Sequence, residues 1–90
     1  MRFRFSRQAE SDIEAIGDFI AHNNPTRALS FISELRAYCR SIADFPRAYP
    51  VRAEFGRGMR LAVFGNYFVV NVVRRHLVEI RRLIHAARER

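Results

Sequence analysis

The dipeptide Gly65-Asn66 constrains this chain more than any other pair of residues. It stands between two apolar runs, Met59 to Phe64 and Tyr67 to Val73. A two-residue hairpin of type I′ needs positive φ at both central positions, which glycine and asparagine tolerate. The pair therefore predicts a hairpin with a defined register, in which Phe64 faces Tyr67 and Arg60 faces Asn71. Cross-strand partners share a face. One face then carries Met59, Leu61, Val63, Phe68, Val70 and Val72, all apolar, and is expected to lie under the helices. The other carries Arg60, Ala62, Phe64, Tyr67, Val69, Asn71 and Val73.

Helices come from the first half of the chain. Arg2 to Phe5 alternates polar and apolar residues, as a short edge strand does. Ser6 then suits a helix N-cap. From Arg7 to His22, Ala9, Ile13, Ile16 and Ile20 fall within an apolar stripe of about 60°. Glu10, Asp12 and Glu14 occupy the early turns, where the helix dipole favours acids. Asn24-Pro25 reads as the cap and first residue of a second helix. Its stripe is Ala28, Phe31, Ile32, Leu35, Cys39 and Ile42, and it is expected to close at Phe45-Pro46. The short link predicts an antiparallel helix hairpin. Pro46 to Gly58, with two prolines and two glycines, reads as irregular.

A third strand, Leu77 to Ile84, follows a turn at Arg74-Arg75-His76. An even-length loop would turn Glu79 inward, so a three-residue loop pairing Val73 with Leu77 is expected. That register puts Val78, Ile80 and Ile84 on the core face, with Arg82 at its margin. The outer face gains Leu77, Glu79, Arg81, Leu83 and His85. It would then show a row Arg60–Asn71–Glu79 flanked by Tyr67, Arg81 and His85, in which Arg60 and Glu79 could pair across Asn71. Too many apolar residues share this face for it to be merely solvated, so it is expected to be covered.

Charge narrows the partners. All 16 basic residues are arginine, against nine acids, for a net charge of +7. Residues 1–46 hold six of each, and residues 47–90 hold ten arginines against three glutamates. Such a field steers a protein toward acidic partners. A hydrophobic content of 49% excludes a disordered basic tail. Ninety residues suit one domain, residues 1–90. The single Cys39 excludes an intrachain disulfide or a Cys-based zinc site, and its place in the helix stripe suits a small core residue. No metal or cofactor is expected. The longest apolar-rich segment, Tyr67 to Val73, falls far short of the ~20 residues of a membrane span. The first six residues lack the apolar run of a signal peptide, so a cytoplasmic location is expected.

The motifs taken together resemble the ParE branch of the ParE/RelE toxin superfamily. The residues that carry the likeness run through the chain. They are Ser6-x-x-Ala9-Glu10-x-Asp12-Ile13-x-x-Ile16, Phe19-Ile20 followed by Asn24-Pro25-x-x-Ala28, Phe45-Pro46, Gly58-Met59-Arg60, and Val78-Glu79-Ile80-x-x-Leu83-Ile84-His85-x-Ala87-Arg88. The departures are Asn71 where the middle strand usually has an aromatic, Val72 where it has a basic residue, and Gly17 where the helix often has an aromatic. The resemblance implies an α+β fold: an N-terminal strand and an antiparallel helix hairpin packed on a mostly antiparallel sheet with a C-terminal three-stranded meander. It implies a type II toxin that inhibits DNA gyrase by protein binding and is neutralised by a ParD-like antitoxin, in a complex of possible higher order. Arg60, Tyr67, Asn71, Glu79, Arg81, His85 and Arg88 are the expected target-binding residues. The antitoxin surface is left open between the outer helix faces and the sheet edges.

Two alternatives follow from the same residues. The RelE branch cleaves mRNA on the ribosome. An arginine commonly opens its second meander strand, where Tyr67 stands here. If this chain were such a ribonuclease, Arg81 and Arg88 would supply charge and His85 a proton. No catalytic residue is otherwise expected. The charge also allows a basic nucleic-acid-binding module, although sequence-specific binding by the chain alone is not expected.

Overall fold

A short strand, β1 (Arg2–Phe5), runs directly into helix α1 (Arg7–Ala21), and helix α2 (Pro25–Ser41) returns antiparallel to it. The computed structural model describes residues 1–88. After α2 come 3₁₀ turns at Ile42–Asp44, Pro46–Ala48 and Ala53–Phe55. The meander follows, as β2 (Arg60–Phe64), β3 (Tyr67–Arg74) and β4 (Leu77–His85), and a last 3₁₀ turn spans Ala86–Arg88. The sheet order is β1-β4-β3-β2, with β1 parallel to β4 and the other pairs antiparallel. This is the expected α+β architecture.

Local chemistry explains the helix starts. The Ser6 hydroxyl accepts the Ala9 N–H at 3.0 Å and donates to the Arg81 carbonyl at 3.0 Å. One serine thus caps α1 and pins it to β4. Asn24 accepts the Arg27 N–H at 3.0 Å, and Pro25 supplies the pre-set φ of the first turn. The α helix ends at Ser41, earlier than Phe45-Pro46. The last turn tightens to 3₁₀ and Phe45, preceding a proline, leaves the helical region (φ −141°, ψ 65°).

The hairpin at Gly65-Asn66 has the expected register, Phe64 opposite Tyr67 and Arg60 opposite Asn71. The β3–β4 connection differs. It is a two-residue turn at Arg75 and His76, both with positive φ (50° and 63°), so Val73 faces Val78 and Arg74 faces Leu77. A bulge at Val70/Asn71 then shifts the pairing, so that Asn71 faces Ile80 but Val70 faces Arg82. A slip of one residue exchanges the faces of a strand.

The consequence is that the helices cover the other side of the hairpin from the one expected. Ala62 and Val69 join Val78, Ile80 and Leu83 beneath Ala9, Ile13, Ile16, Leu35, Cys39 and Ile42. Met59, Leu61, Val70 and Val72 form a smaller cluster on the opposite face, roofed by Phe55. Leu83 is core, and Ile84 lies with the smaller cluster. Cys39 is fully buried, and burial pushes its thiol up to about 12.

Candidate functional site

The row Arg60–Asn71–Glu79 does not exist on one face. Arg60 lies on the helix side of β2, where its guanidinium donates to the Tyr49 carbonyl at 2.6 Å and holds the 46–58 loop. Asn71 is fully buried. Its amide donates to the carbonyls of Arg60 at 3.3 Å and Val69 at 3.1 Å, beside the bulge, and its Oδ1 has no partner. Glu79 lies on the far face, where it faces Val72 and pairs with Arg4 at 2.9 Å and with Arg81. These three residues stabilise a loop, a bulge and a sheet face respectively, and share no ion pair.

Tyr67 and His85 do meet, because they are register partners at the end of the β3–β4 ladder. Their rings stand edge to face with centroids 5.1 Å apart. Phe31 of α2 packs on Tyr67 at 5.9 Å, and His85 Nδ1 accepts the Ala87 N–H at 3.2 Å. Both line a groove of about 450 Å³ between α1 and the end of β4, with Asp12, Phe19, Arg82 and Leu83. Phe19 is an exposed aromatic on the wall of this groove.

Asp12 organises the groove floor. β1 ends at Phe5, so β4 beyond Ile80 has a bare edge that a strand would otherwise fill. Ser6 covers its first carbonyls, and Asp12 Oδ2 accepts the Leu83 N–H at 2.9 Å. The same carboxylate accepts from Arg82 Nε at 2.8 Å. Such charge-assisted bonds to backbone and guanidinium are the strong class. Neither Asp12 nor Phe19 nor Arg82 stood out in the sequence as a site residue. The signal was there in α1: Asp12, Ala15, Ile16 and Phe19 form a second stripe, flanking the core one, at helical spacing.

Arg81 sits at the bulge and turns to the far face, lining a hollow with Ser6, Phe55, Met59, Val70 and Glu79. The proposed ribonuclease set is therefore not assembled. Arg81 is on the far face and His85 on the helix side, while the Arg88 side chain lies outside the described residues. Among the described residues there is no cluster of His, Cys, Asp and Glu that could hold a metal ion. No helix among them is long and apolar enough to cross a membrane.

The arginines have a clear distribution. Residues 6–44, the helical layer, hold six acids against four arginines. By register, Arg2, Arg4 and Arg74 share the far face with Glu79, and Arg81 joins them at the bulge, while Arg82 turns over the β4 edge to Asp12 of α1. Of the arginines in the second half of the sequence, Arg74 and Arg81 thus join the two β1 arginines on one side of the sheet, while Arg60 lies on the helix side.

Comparison with known proteins gives a consistent picture. A family model described as "ParE toxin of type II toxin-antitoxin system, parDE" matches residues 3–90. The fold is similar to a chain of the solved structure "Chromosomal ParDE TA system from P. aeruginosa", with a TM-score of 0.84 at 18% identity, covering 94% of this chain and 95% of that one. At that identity the likeness speaks to the fold. No curated protein matched the sequence.

Proposed function

The chain belongs to the ParE toxin family of type II toxin–antitoxin systems, and on that premise we propose that it inhibits DNA gyrase by binding it, without chemistry of its own, and that a ParD-like antitoxin neutralises it. Membership of the family implies an antitoxin partner. A cytoplasmic site of action follows from a target that works on the chromosome.

What supports binding over RNA cleavage is the separation of Arg81 from His85 on opposite sides of the sheet. In-line attack by a ribose hydroxyl needs charge stabilisation and proton transfer focused on one phosphate. Here Arg81 pairs with Glu79 on the far face, and His85 packs against Tyr67 at the α1–β4 groove on the helix side. The groove brings two expected target residues, Tyr67 and His85, beside Phe19 and Arg82, and its apolar wall and cationic rim suit a protein partner.

The test is a gyrase supercoiling assay run beside a translation assay. Purified toxin is expected to reduce supercoiling at micromolar concentration, and stoichiometric antitoxin to restore it. Transcript cleavage on ribosomes with supercoiling untouched would overturn the proposal.

A further inference from the structure

We propose that the sheet face turned away from the helices binds the phosphate backbone of duplex DNA through Arg2, Arg4, Arg74 and Arg81, without reading bases. Register places Arg2 and Arg74 on either side of Leu77, and Arg4 beside Glu79. Arg81 reaches the same face from the bulge. Arg57 joins the rim, since its carbonyl accepts from the Arg74 guanidinium at 3.4 Å. The only acid the strands contribute there is Glu79. It is 17% exposed and already shared by Arg4 and Arg81, so it fixes those two side chains and leaves the face strongly positive.

The partner follows from the arrangement. The cations span three neighbouring strands, roughly 10 Å of rigid sheet. Arginine gives each position a planar fork suited to phosphate oxygens. A single-stranded nucleic acid is held by aromatic platforms on which bases stack. On this face Phe68 is instead packed against Phe55, with centroids 6.1 Å apart. Arginine clusters also hold acidic peptide motifs, so the case for a duplex rests on the spread of these arginines across three strands rather than along one edge. A duplex carries one charge per ~1.7 Å of axis and matches a broad, flat, cationic surface. The acid-rich helical layer on the other side orients the molecule, so that only this face approaches the duplex. This inference goes beyond the gyrase reading and does not depend on it.

The test measures binding of a short fluorescent duplex of mixed sequence to the toxin alone, with no gyrase present, as salt is raised from ~50 to ~200 mM. About four neutralised phosphates give a slope of log affinity on log salt between about −3 and −4. The triple variant Arg2→Gln, Arg4→Gln, Arg74→Gln is expected to lose at least about tenfold in affinity at the lower salt and to flatten the slope by nearly 3. A helix-side triple, Arg27→Gln, Arg36→Gln, Arg40→Gln, removes the same charge and is expected to bind almost as the parent does. Far-ultraviolet circular dichroism checks that both fold. The exposed pair Arg2→Gln, Arg74→Gln carries the same test, with a slope change of about 2, should a triple fail to fold. Equal losses in both triples, a slope near zero, or tighter binding of oligo-dT or polyglutamate than of duplex would overturn the proposal.

Discussion

The two faces of the sheet are built from the same four strands and do different work. The face under the helices is closed. The largest fully buried side chains, among them Leu35, Ile42, Ile80, Val69 and Val78, all lie there. The far face carries a thinner apolar cluster, Met59, Leu61, Val70 and Val72, roofed by a loop residue and ringed by arginines. Stability is concentrated on one side and charge on the other. Like charges repel one another and cost stability, so the closed face offsets what the arginines around the thinner far-face cluster cost.

The sharpest way to break this comparison is to truncate the same residue type on each side. Leu35→Ala is expected to cost about 4 kcal/mol and Leu61→Ala nearer 2, because the loop above Leu61 collapses more easily than two packed helices. Urea midpoints at constant m-value measure both, and equal losses would erase the distinction. Next, Asp12→Ala should cost about 2 kcal/mol, since it leaves the Leu83 N–H without its acceptor. Hydrogen exchange should show the Leu83 amide opening faster while Val78 and Ile80 stay protected.

A third probe uses the closed face's own thiol. Burial raises Cys39 from its ordinary value of 9.0 to about 12. The folded chain therefore keeps its proton where the unfolded chain ionises. Below pH 9 this thiol leaves stability unchanged. Between pH 9 and 12 it lowers stability by at most about 1.4 kcal/mol per pH unit. A Cys39→Ala variant should lose that slope, and the parent thiol should react with alkylating reagents only through unfolding. Smallest is the turn that sets the faces: His76→Gly is expected to stabilise by about 0.5–1 kcal/mol, by removing a left-handed conformation from a branched ring side chain. A loss of stability there would mean that His76 makes a contact worth more than its strain.

Much of the fold was legible because its signals are local. Ser6, Asn24-Pro25 and Gly65-Asn66 each announce their structure through backbone chemistry within a few residues, and the two helix stripes are periodic. The error in faces began with the hairpin, whose wholly apolar side reads as the core, and Arg75-His76, a turn without the glycine or asparagine that usually accepts positive φ, gave no signal against it. Reading that turn as a three-residue loop slipped β4 by one position. That loop kept Glu79 off the side assigned to the core and tied Val78 and Ile80 to it. The bulge at Val70/Asn71, equally silent in sequence, moved Leu83 inward and Ile84 outward. The expected site suffered accordingly. Tyr67 and His85 come together as partners of one ladder, whereas Arg60, Asn71 and Glu79 are dispersed by the register. Asp12 was visible only as one of several acids early in a helix, since nothing nearby in sequence shows that β4, some 70 residues on, would offer it an unpaired N–H.

The sheet order has a consequence for how the molecule comes into being. β4 is inserted between β1 and β3, although it is the last of the four strands to be synthesised. Until residues 77–85 leave the ribosome, β1 has no neighbour and the helices have only half a floor. Contacts of such long sequence separation form late. Ribosome-stalled chains that expose residues only as far as 76 should be degraded readily by protease, and chains that expose residue 88 should resist. Activity would then arrive in one step, when β4 slots between its neighbours, and no partly folded toxin would precede it.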